Sequence, residues 1–285
     1  MHSWYVYSLL ALVLIGSQRF LYKVAADQEC STFRTTFSFM ATVALLATGI
    51  CVWRWPDIPS VGFLLSISLL NSLTFASATL CHIQALKYVP AAVAYPLIRM
   101  NIVLVVIFAV LFLQESLSWI QVLGLVFSLA AVWVLSLDRS SDFRAGMQAK
   151  GLALVGLALL AGGLSAISCK YAAEHTDIWA FISLSYILST LLTLVLAPSM
   201  FSRSQAGKGG LDLGIGLAMG ILNLAGFYMF LRALAMGPLS VVAVVNGMHF
   251  LVPVLLSAVI FKERLGASRM LGLVLALAAL CLLRG

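Results

Sequence analysis

The chain has 285 residues, of which 62% are hydrophobic and only 9% are charged. A soluble domain carries roughly 25% Asp, Glu, Lys and Arg, so this composition excludes a soluble globular protein. The net charge of +7 comes from basic residues that stand singly between apolar runs, without the basic stripe that nucleic-acid binding needs. We therefore expect an all-α integral membrane fold, with the lipid bilayer and not a nucleic acid as a partner.

Ten apolar segments follow one another along the chain, and each is about as long as the roughly 20 residues that a helix needs to span a bilayer. They lie at 3–25, 31–53, 61–86, 90–113, 118–137, 150–172, 176–198, 211–236, 238–261 and 267–284. Pro90 and Pro238 open the fourth and ninth segments, a position that suits a residue without a backbone N–H. The eighth segment contains Gly216-Leu-Ala-Met-Gly220, a G-x-x-x-G pattern that predicts close helix packing.

The second half of the chain repeats the first. A gap-free alignment of the stretches that begin at Ala85 and Ala233 gives about 16 identities in roughly 51 positions. The special positions that match are Pro90 with Pro238, Glu115 with Glu263, Gly124 with Gly272, and Lys23 to Asp27 with Lys170 to Glu174. Because each half has an odd number of spans, the second half must be inverted relative to the first, as in many secondary transporters.

We therefore predict ten transmembrane helices, arranged as two inverted five-helix repeats around a central cavity. The longest polar stretch runs from Asp138 to Lys150 and separates the two halves. The predicted domains are residues 1–137 as the first five-helix repeat, residues 138–149 as a cytoplasmic linker, and residues 150–285 as the second five-helix repeat.

The stretch VPAAVAYPLIRMNIVLVVIFAVLFLQESLSWIQVLG and its echo FKERLGASRMLG carry a family resemblance. They resemble the EamA-type domain of the drug/metabolite transporter superfamily, in which Gly-Glu-Arg is common where this chain has Gln114-Glu115-Ser116. The resemblance covers essentially the whole chain and implies a ten-helix bundle whose halves rock around a central cavity. It also implies export of amino acids or related metabolites, although the superfamily extends to sugars, nucleotide sugars, organic cations and lipid carriers.

The distribution of basic residues predicts the orientation in the membrane. Most of the 17 Lys and Arg residues fall on the membrane face opposite both termini. Since positive charge is enriched in cytoplasmic loops, we expect a multi-pass protein of the cell (inner) membrane with both termini outside the cytoplasm. Arg19 and Lys23, towards the end of the first helix, are expected to extend to the cytoplasmic interface.

Arg99 is the most informative single residue. It lies about ten residues into the fourth segment, near the bilayer centre, where an arginine costs at least about 2.5–3.5 kcal/mol on insertion scales. Tyr95 lies one turn away on the same face, and Pro96 removes a helical hydrogen bond. We interpret Arg99 as a residue that binds an anionic group of the substrate, with a structural arginine satisfied by backbone carbonyls as the alternative.

Polar and aromatic residues at helical spacing extend this candidate site to other helices. They are Asn246 and His249 in the ninth segment, Asn71 and Phe75 in the third, Asn223 and Phe227 in the eighth, and Gln18 and Tyr22 in the first. Each pair alone is more typical of hydrogen bonding between helices. Together, on repeat-related helices, they predict the polar and aromatic lining of the cavity.

The acidic residues bear on the substrate class. All ten lie at or near predicted helix ends, whereas proton-coupled export of cationic drugs usually uses a carboxylate within the membrane. We therefore predict a secondary transporter that exports a small anionic or zwitterionic metabolite by alternating access. A flippase for a lipid-linked phosphate and a polytopic membrane enzyme are the alternatives. No cofactor, metal site or catalytic residue is expected, and the sequence leaves a homodimer open.

Overall fold

The computed structural model describes residues 3–85, 88–89, 94, 97–137, 149–200, 209–260 and 266–284. Within these ranges every regular element is helical, and the ten predicted segments are ten helices. They are α1 (Ser3–Asp27), α2 (Thr32–Arg54), α3 (Val61–Ala85), α4 (Leu97–Phe112), α5 (Trp119–Leu137), α6 (Ala149–His175), α7 (Ile178–Met200), α8 (Gly210–Met236), α9 (Leu239–Ile260) and α10 (Ala267–Leu283). Of the predicted linker, residues 138–148 lie outside the described ranges.

The length and composition of these helices make this a multi-pass membrane protein. Among the described residues, seven helices are long and apolar enough to cross a bilayer, and α4, α5 and α10 are shorter apolar helices. The boundaries follow the local chemistry of the chain. Trp55 adopts a left-handed conformation, with φ of 45°, where α2 ends, and α9 begins directly after Pro238, as predicted.

The packing of α5 against α10 shows that the two halves are inverted. A Cβ atom on Gly124 would lie 2.8 Å from Cγ of Leu283, and a Cβ atom on Gly272 would lie 2.5 Å from Cγ of Leu135. The repeat alignment exchanges Gly124 with Gly272 and Leu135 with Leu283, so the two contacts are one contact seen from each half. Because a residue near the start of α5 meets the end of α10, and the reverse, these equivalent helices are antiparallel.

The other helix contacts also match when each helix of the first repeat is replaced by its equivalent in the second. The pairs α2–α7 and α4–α9 each join equivalent helices, as α5–α10 does. The contact of α1 with α8 corresponds to that of α6 with α3, and the contact of α2 with α8 corresponds to that of α7 with α3. The interface between the halves is therefore built from both repeats in equal measure, as expected for a duplicated five-helix unit.

Small residues allow the closest helix approaches. A Cβ atom on Gly216 of α8 would lie 2.6 Å from the carbonyl oxygen of Thr35, and one on Gly220 would lie 2.6 Å from Cβ of Thr42. The predicted G-x-x-x-G packing motif is thus confirmed, with α2 as its partner. Larger apolar side chains such as Leu45 and Val195 are instead exposed on the outside of the bundle, where lipid covers them.

A carboxylate joins the loop of one half to a helix of the other. Glu115, in the α4–α5 loop, accepts hydrogen bonds from the backbone N–H groups of Leu239 (2.6 Å) and Ser240 (2.9 Å) and from the Ser240 hydroxyl (2.5 Å). These N–H groups lie in the first turn of α9, where no intrahelical acceptor is available and the helix dipole favours negative charge. The preceding Gln114 has φ of 53°, a left-handed conformation that suits the glycine common in the family at this position.

Replacing Glu115 tests this cap. We expect Glu115→Ala to lower the free energy of unfolding by about 1–3 kcal/mol, because it leaves buried N–H groups of α9 without their acceptor. Glu115→Gln retains an acceptor oxygen, so its free energy of unfolding should lie between those of Glu115→Ala and the wild type. Thermal unfolding of the purified protein, followed by tryptophan fluorescence, measures the change. Asp57→Ala, which removes an exposed carboxylate elsewhere, is the matched control, and equal effects of the two alanine variants would contradict the prediction.

Candidate functional site

The ninth helix is interrupted at its middle. A 3₁₀ turn at Met248–Phe250 separates the α-helical stretches Leu239–Gly247 and Leu251–Ile260, and His249 lies within this turn. Pro253 has no N–H, so it cannot donate to the carbonyl of His249 as a regular helix requires. A 3₁₀ turn inside a helix often marks a functional hinge. The regular hydrogen bonding of α9 is therefore interrupted near His249, at mid-span.

The fourth helix is interrupted at the equivalent residue. Met100 separates the helical residues before it from those after it, and its carbonyl accepts from the N–H of Val103 at 2.9 Å, which closes a 3₁₀-type turn. The repeat alignment places Met100 opposite Met248 of α9. The interruptions are therefore a property of the repeat, present once in each half. Tyr95 and Pro96, which the sequence places just before this break, lie outside the described residues.

Each interruption packs against a glycine of a neighbouring helix. A Cβ atom on Gly16 of α1 would lie 2.7 Å from the carbonyl oxygen of His249, and one on Gly163 of α6 would lie 3.8 Å from that of Asn101. Asn101 and His249 are aligned in the repeat, as are Gly16 and Gly163. The sequence analysis missed Asn101 as a candidate site residue, although its alignment with His249 was the signal that could have identified it.

Arg99 and His249 meet at these interruptions. Nη2 of Arg99 lies 3.4 Å from Nε2 of His249, and Nδ1 of His249 lies 2.7 Å from the carbonyl oxygen of Asn246. A carbonyl can only accept and a guanidinium can only donate, so Nδ1 carries the proton and Nε2 accepts. This hydrogen-bonding pattern requires a neutral His249. The pair therefore carries a single positive charge, on Arg99, at the middle of the α9 span.

Two amide oxygens lie on the same broken helices. Oδ1 of Asn246 and Oδ1 of Asn101 are buried and have no hydrogen-bond partner among the residues that the structure describes. A buried amide oxygen without a partner costs free energy, so its presence at an interior position is consistent with a donor supplied by a ligand. Arg99, Asn246 and His249 are thus the predicted site residues that the structure brings together.

Asn71 contacts a neighbouring helix directly. Its Nδ2 atom lies within hydrogen-bonding distance of the Ser165 carbonyl and hydroxyl oxygens, the Ser168 hydroxyl at 2.8 Å and the Cys169 sulfur at 3.3 Å. All of these acceptors belong to α6, so the amide of Asn71 joins α3 to α6. This is the interhelical role that the sequence left open, and the substrate contact of Asn71 stays a prediction.

The eighth helix shows a similar arrangement. The hydroxyl of Tyr186, on α7, donates to Oδ1 of Asn223 at 2.5 Å, and the ring of Phe227 lies 6.0 Å from the Tyr186 ring. Tyr186 was missed by the sequence analysis because an isolated tyrosine in an apolar helix has no distinguishing pattern. Asn223 and Phe227 therefore form a polar and aromatic group between α7 and α8, and their role towards a substrate stays a prediction.

The remaining predicted residues lie on α1 and α3. Gln18 is only 2% exposed, whereas Phe75 is 43% exposed on α3. The ring centroid of Tyr22 lies 5.8 Å from Cζ of Arg19, close enough for a cation–π contact. The assignment of these three residues to the same site as Arg99 also stays a prediction.

Comparison with known proteins identifies a family of transporters. Residues 2–137 and residues 149–285 each match the EamA-like transporter family. One curated relative, described as an uncharacterized transporter in cobO 3'region of Sinorhizobium sp, is 31% identical over 138 residues, 47% of this chain and 96% of that protein. The family match thus covers both repeats, and the relative aligns with about half of the chain.

A second relative is described as a probable 4-amino-4-deoxy-L-arabinose-phosphoundecaprenol flippase subunit ArnF of Proteus mirabilis (strain HI4320). It is 31% identical over 86 residues, 30% of this chain, and this chain spans 62% of that subunit's length. A protein of known crystal structure superimposes with a TM-score of 0.81 over 99% of this chain and 98% of its own, at 15% identity. That similarity shows the fold alone.

The two aligned glycines provide a matched test of the helix packing at the site. We expect Gly16→Ala to destabilise the protein by about 1–3 kcal/mol, because its methyl group would overlap the His249 carbonyl and the Val252 side chain. Gly163→Ala has ordinary contact distances of 3.7–3.8 Å and should be neutral or slightly stabilising. Thermal unfolding of both variants measures the difference, and a Gly163→Ala variant as unstable as Gly16→Ala would refute the packing argument.

Proposed function

Because the chain belongs to the EamA-like transporter family, we propose that it is a secondary transporter for a small anionic or zwitterionic metabolite. The observation that carries this proposal is the contact of Arg99 with a neutral His249 at the paired interruptions of α4 and α9. A guanidinium at mid-span binds a carboxylate or phosphate through two parallel hydrogen bonds, and the low dielectric of the bilayer interior strengthens that interaction.

The interrupted helices supply the rest of the proposed site. Their 3₁₀ turns place backbone carbonyls and the amide oxygens of Asn101 and Asn246 in the protein interior. Such acceptors suit the ammonium or hydroxyl groups of a small metabolite. Discontinuous helices at the interface of inverted repeats are the usual position of a substrate site in secondary transporters. Tyr95, Asn71, Phe75, Asn223, Phe227, Gln18 and Tyr22 are proposed as further lining residues.

The proposed cycle follows from the inverted repeat. Rocking of one half against the other exposes the site first to one side of the membrane and then to the other, as alternating access requires. The turns at Met100 and at Met248–Phe250 would absorb the change in backbone angle. Both halves of the site come from one chain, so the cycle requires one copy, and a homodimer stays a prediction from the sequence.

We propose export as the direction, from the family resemblance, and the cell (inner) membrane as the location. From the distribution of basic residues we further propose that both termini lie outside the cytoplasm. The described contacts are compatible with the two termini sharing one face. The hydroxyl of Tyr5, near the start of α1, donates to the carbonyl of Leu280, near the end of α10.

A flippase for a lipid-linked phosphate is the second candidate. It is favoured by the partial similarity to the probable flippase subunit of Proteus mirabilis. Such a substrate would present a phosphate to Arg99 while its lipid chain passed between helices. Reconstitution in proteoliposomes separates the candidates, because a soluble metabolite changes compartments in one case and a labelled lipid-linked phosphate changes leaflets in the other.

The orientation has a direct test. An alkaline phosphatase fused after Gly285 should be active, because that enzyme folds only outside the cytoplasm and the charge bias places the C-terminus there. A green fluorescent protein fused at the same residue should stay dark. The opposite result from the pair of fusions would show that the C-terminus is cytoplasmic and would contradict the prediction.

The role of Arg99 is tested by two substitutions. A ligand is first identified by thermal-shift screening of the purified protein against amino acids, carboxylates and phosphates, since a bound ligand raises the apparent stability. We expect Arg99→Gln to abolish binding and transport of that ligand while the protein stays folded, because the group that pairs with the anion is lost. Arg99→Lys keeps the charge without the planar donor pair and should reduce transport at least about tenfold.

Arg54→Gln is the control for Arg99, because it removes an exposed arginine at the end of α2. It should transport normally. Near-normal transport by Arg99→Gln would exclude Arg99 from the site. If Arg99→Gln gives no folded protein, the structural interpretation of this arginine gains support instead.

A further inference from the structure

Arg19 lies on the face of α1 that packs against α9. Three residues before it, Gly16 packs against the His249 carbonyl, and four residues after it, the ammonium of Lys23 donates to the Ser257 hydroxyl at 3.1 Å. Residues three and four apart share one face of a helix. Arg19 is therefore located between two contacts with α9, one turn from His249. The sequence predicts that Arg19 and Lys23 extend to the cytoplasmic interface, and Lys23 also contacts a helix of the other half.

Arg19 lies well inside the α1 span, where its charged side chain needs water or a polar partner. It precedes Asp27, the last residue of α1, by eight residues, which is about 12 Å along the helix axis. Among the described residues Arg19 forms no ion pair, and its guanidinium lies over the Tyr22 ring. Its side chain is nonetheless exposed. A charge at this depth is costly against lipid, so the exposed part of Arg19 would face a polar opening inside the bundle.

Such an opening would lie next to the Arg99 site, because Gly16, one turn before Arg19, packs against the His249 carbonyl. Arg99 contacts the His249 ring from α4, and Arg19 lies one turn beyond the Gly16 contact on α1. The two guanidinium groups are thus carried by different helices that both pack at the interruption of α9. The described acidic residues of α1, α4 and α9 are confined to the end of α1, at Asp27.

We propose that Arg19 is a second anion-binding residue of the same site and that the substrate carries two acidic groups. One group would pair with Arg99 and the other with Arg19, so that the two positive charges are matched by one solute. The shared chemistry is that of a dicarboxylate or a phosphate monoester. This inference rests on the proposed function, and it narrows the substrate class from anionic or zwitterionic metabolites to those with two negative charges.

The test compares ligands that differ by one charge. Succinate and succinamate have nearly the same shape, but only succinate carries a second carboxylate, and glycerol 3-phosphate represents the phosphate monoesters. Calorimetric titration of the full-length protein in nanodiscs should show that succinate or glycerol 3-phosphate binds at least about tenfold more tightly than succinamate, the factor that one good charge pair provides. The tighter of the two dianions then identifies the class. Failure of both to bind more tightly than succinamate would overturn the proposal.

The variants separate this inference from the proposed function. Arg19→Gln should remove the preference for the dianion and leave the affinity for succinamate unchanged, whereas Arg19→Lys should keep much of the preference and show that the site is folded. Arg99→Gln should abolish binding of all three ligands, and Arg54→Gln should change none. An Arg19→Gln variant that keeps the dianion preference refutes the role of Arg19 alone. An Arg99→Gln variant that still binds refutes the proposed site itself.

Discussion

The structure depends on one constraint of the bilayer: a backbone N–H or C=O group that faces lipid must be hydrogen-bonded within its own helix. The helices that face outward satisfy this rule without interruption over their described lengths. Among the described helices only α4 and α9 are interrupted. At each interruption another helix covers the backbone groups that lack an intrahelical partner. Gly16 permits that cover at α9, because a side chain there would collide with the carbonyl of His249.

Duplication explains why the two halves have equivalent interruptions. Sequence divergence explains why the side chains around those interruptions differ between the halves. Met100 and Met248 occupy equivalent positions, but the neighbouring residues differ between the halves. Arg99 is aligned with Gly247, so the first half contributes a guanidinium where the second contributes no side chain. His249 is aligned with Asn101. A symmetric scaffold therefore holds an asymmetric distribution of charge, which would let the proposed site distinguish the two ends of a bound solute.

Much of the fold could be predicted from the sequence, because its signals are local. Helix ends follow prolines and polar residues, as at Pro238, and the odd number of spans requires inversion. The site was harder to predict from the sequence, because the residue pattern of a helix does not show which neighbouring helix each side chain contacts. Asn71 and Asn246 have the same chemistry, yet the amide nitrogen of Asn71 lies within hydrogen-bonding distance of four acceptors on α6.

The carboxylate of Glu115 has a mechanical consequence. It ties the first turn of α9 to the loop that leaves α4, so the outer segments of both interrupted helices are fastened to each other across the boundary between the halves. A gate at that end cannot swing one segment alone without rupturing these bonds. In the proposed cycle the two segments would therefore move together, with their pivots at Met100 and His249. Movement at one pivot would be transmitted to the other, and the proposed substrate site lies between them.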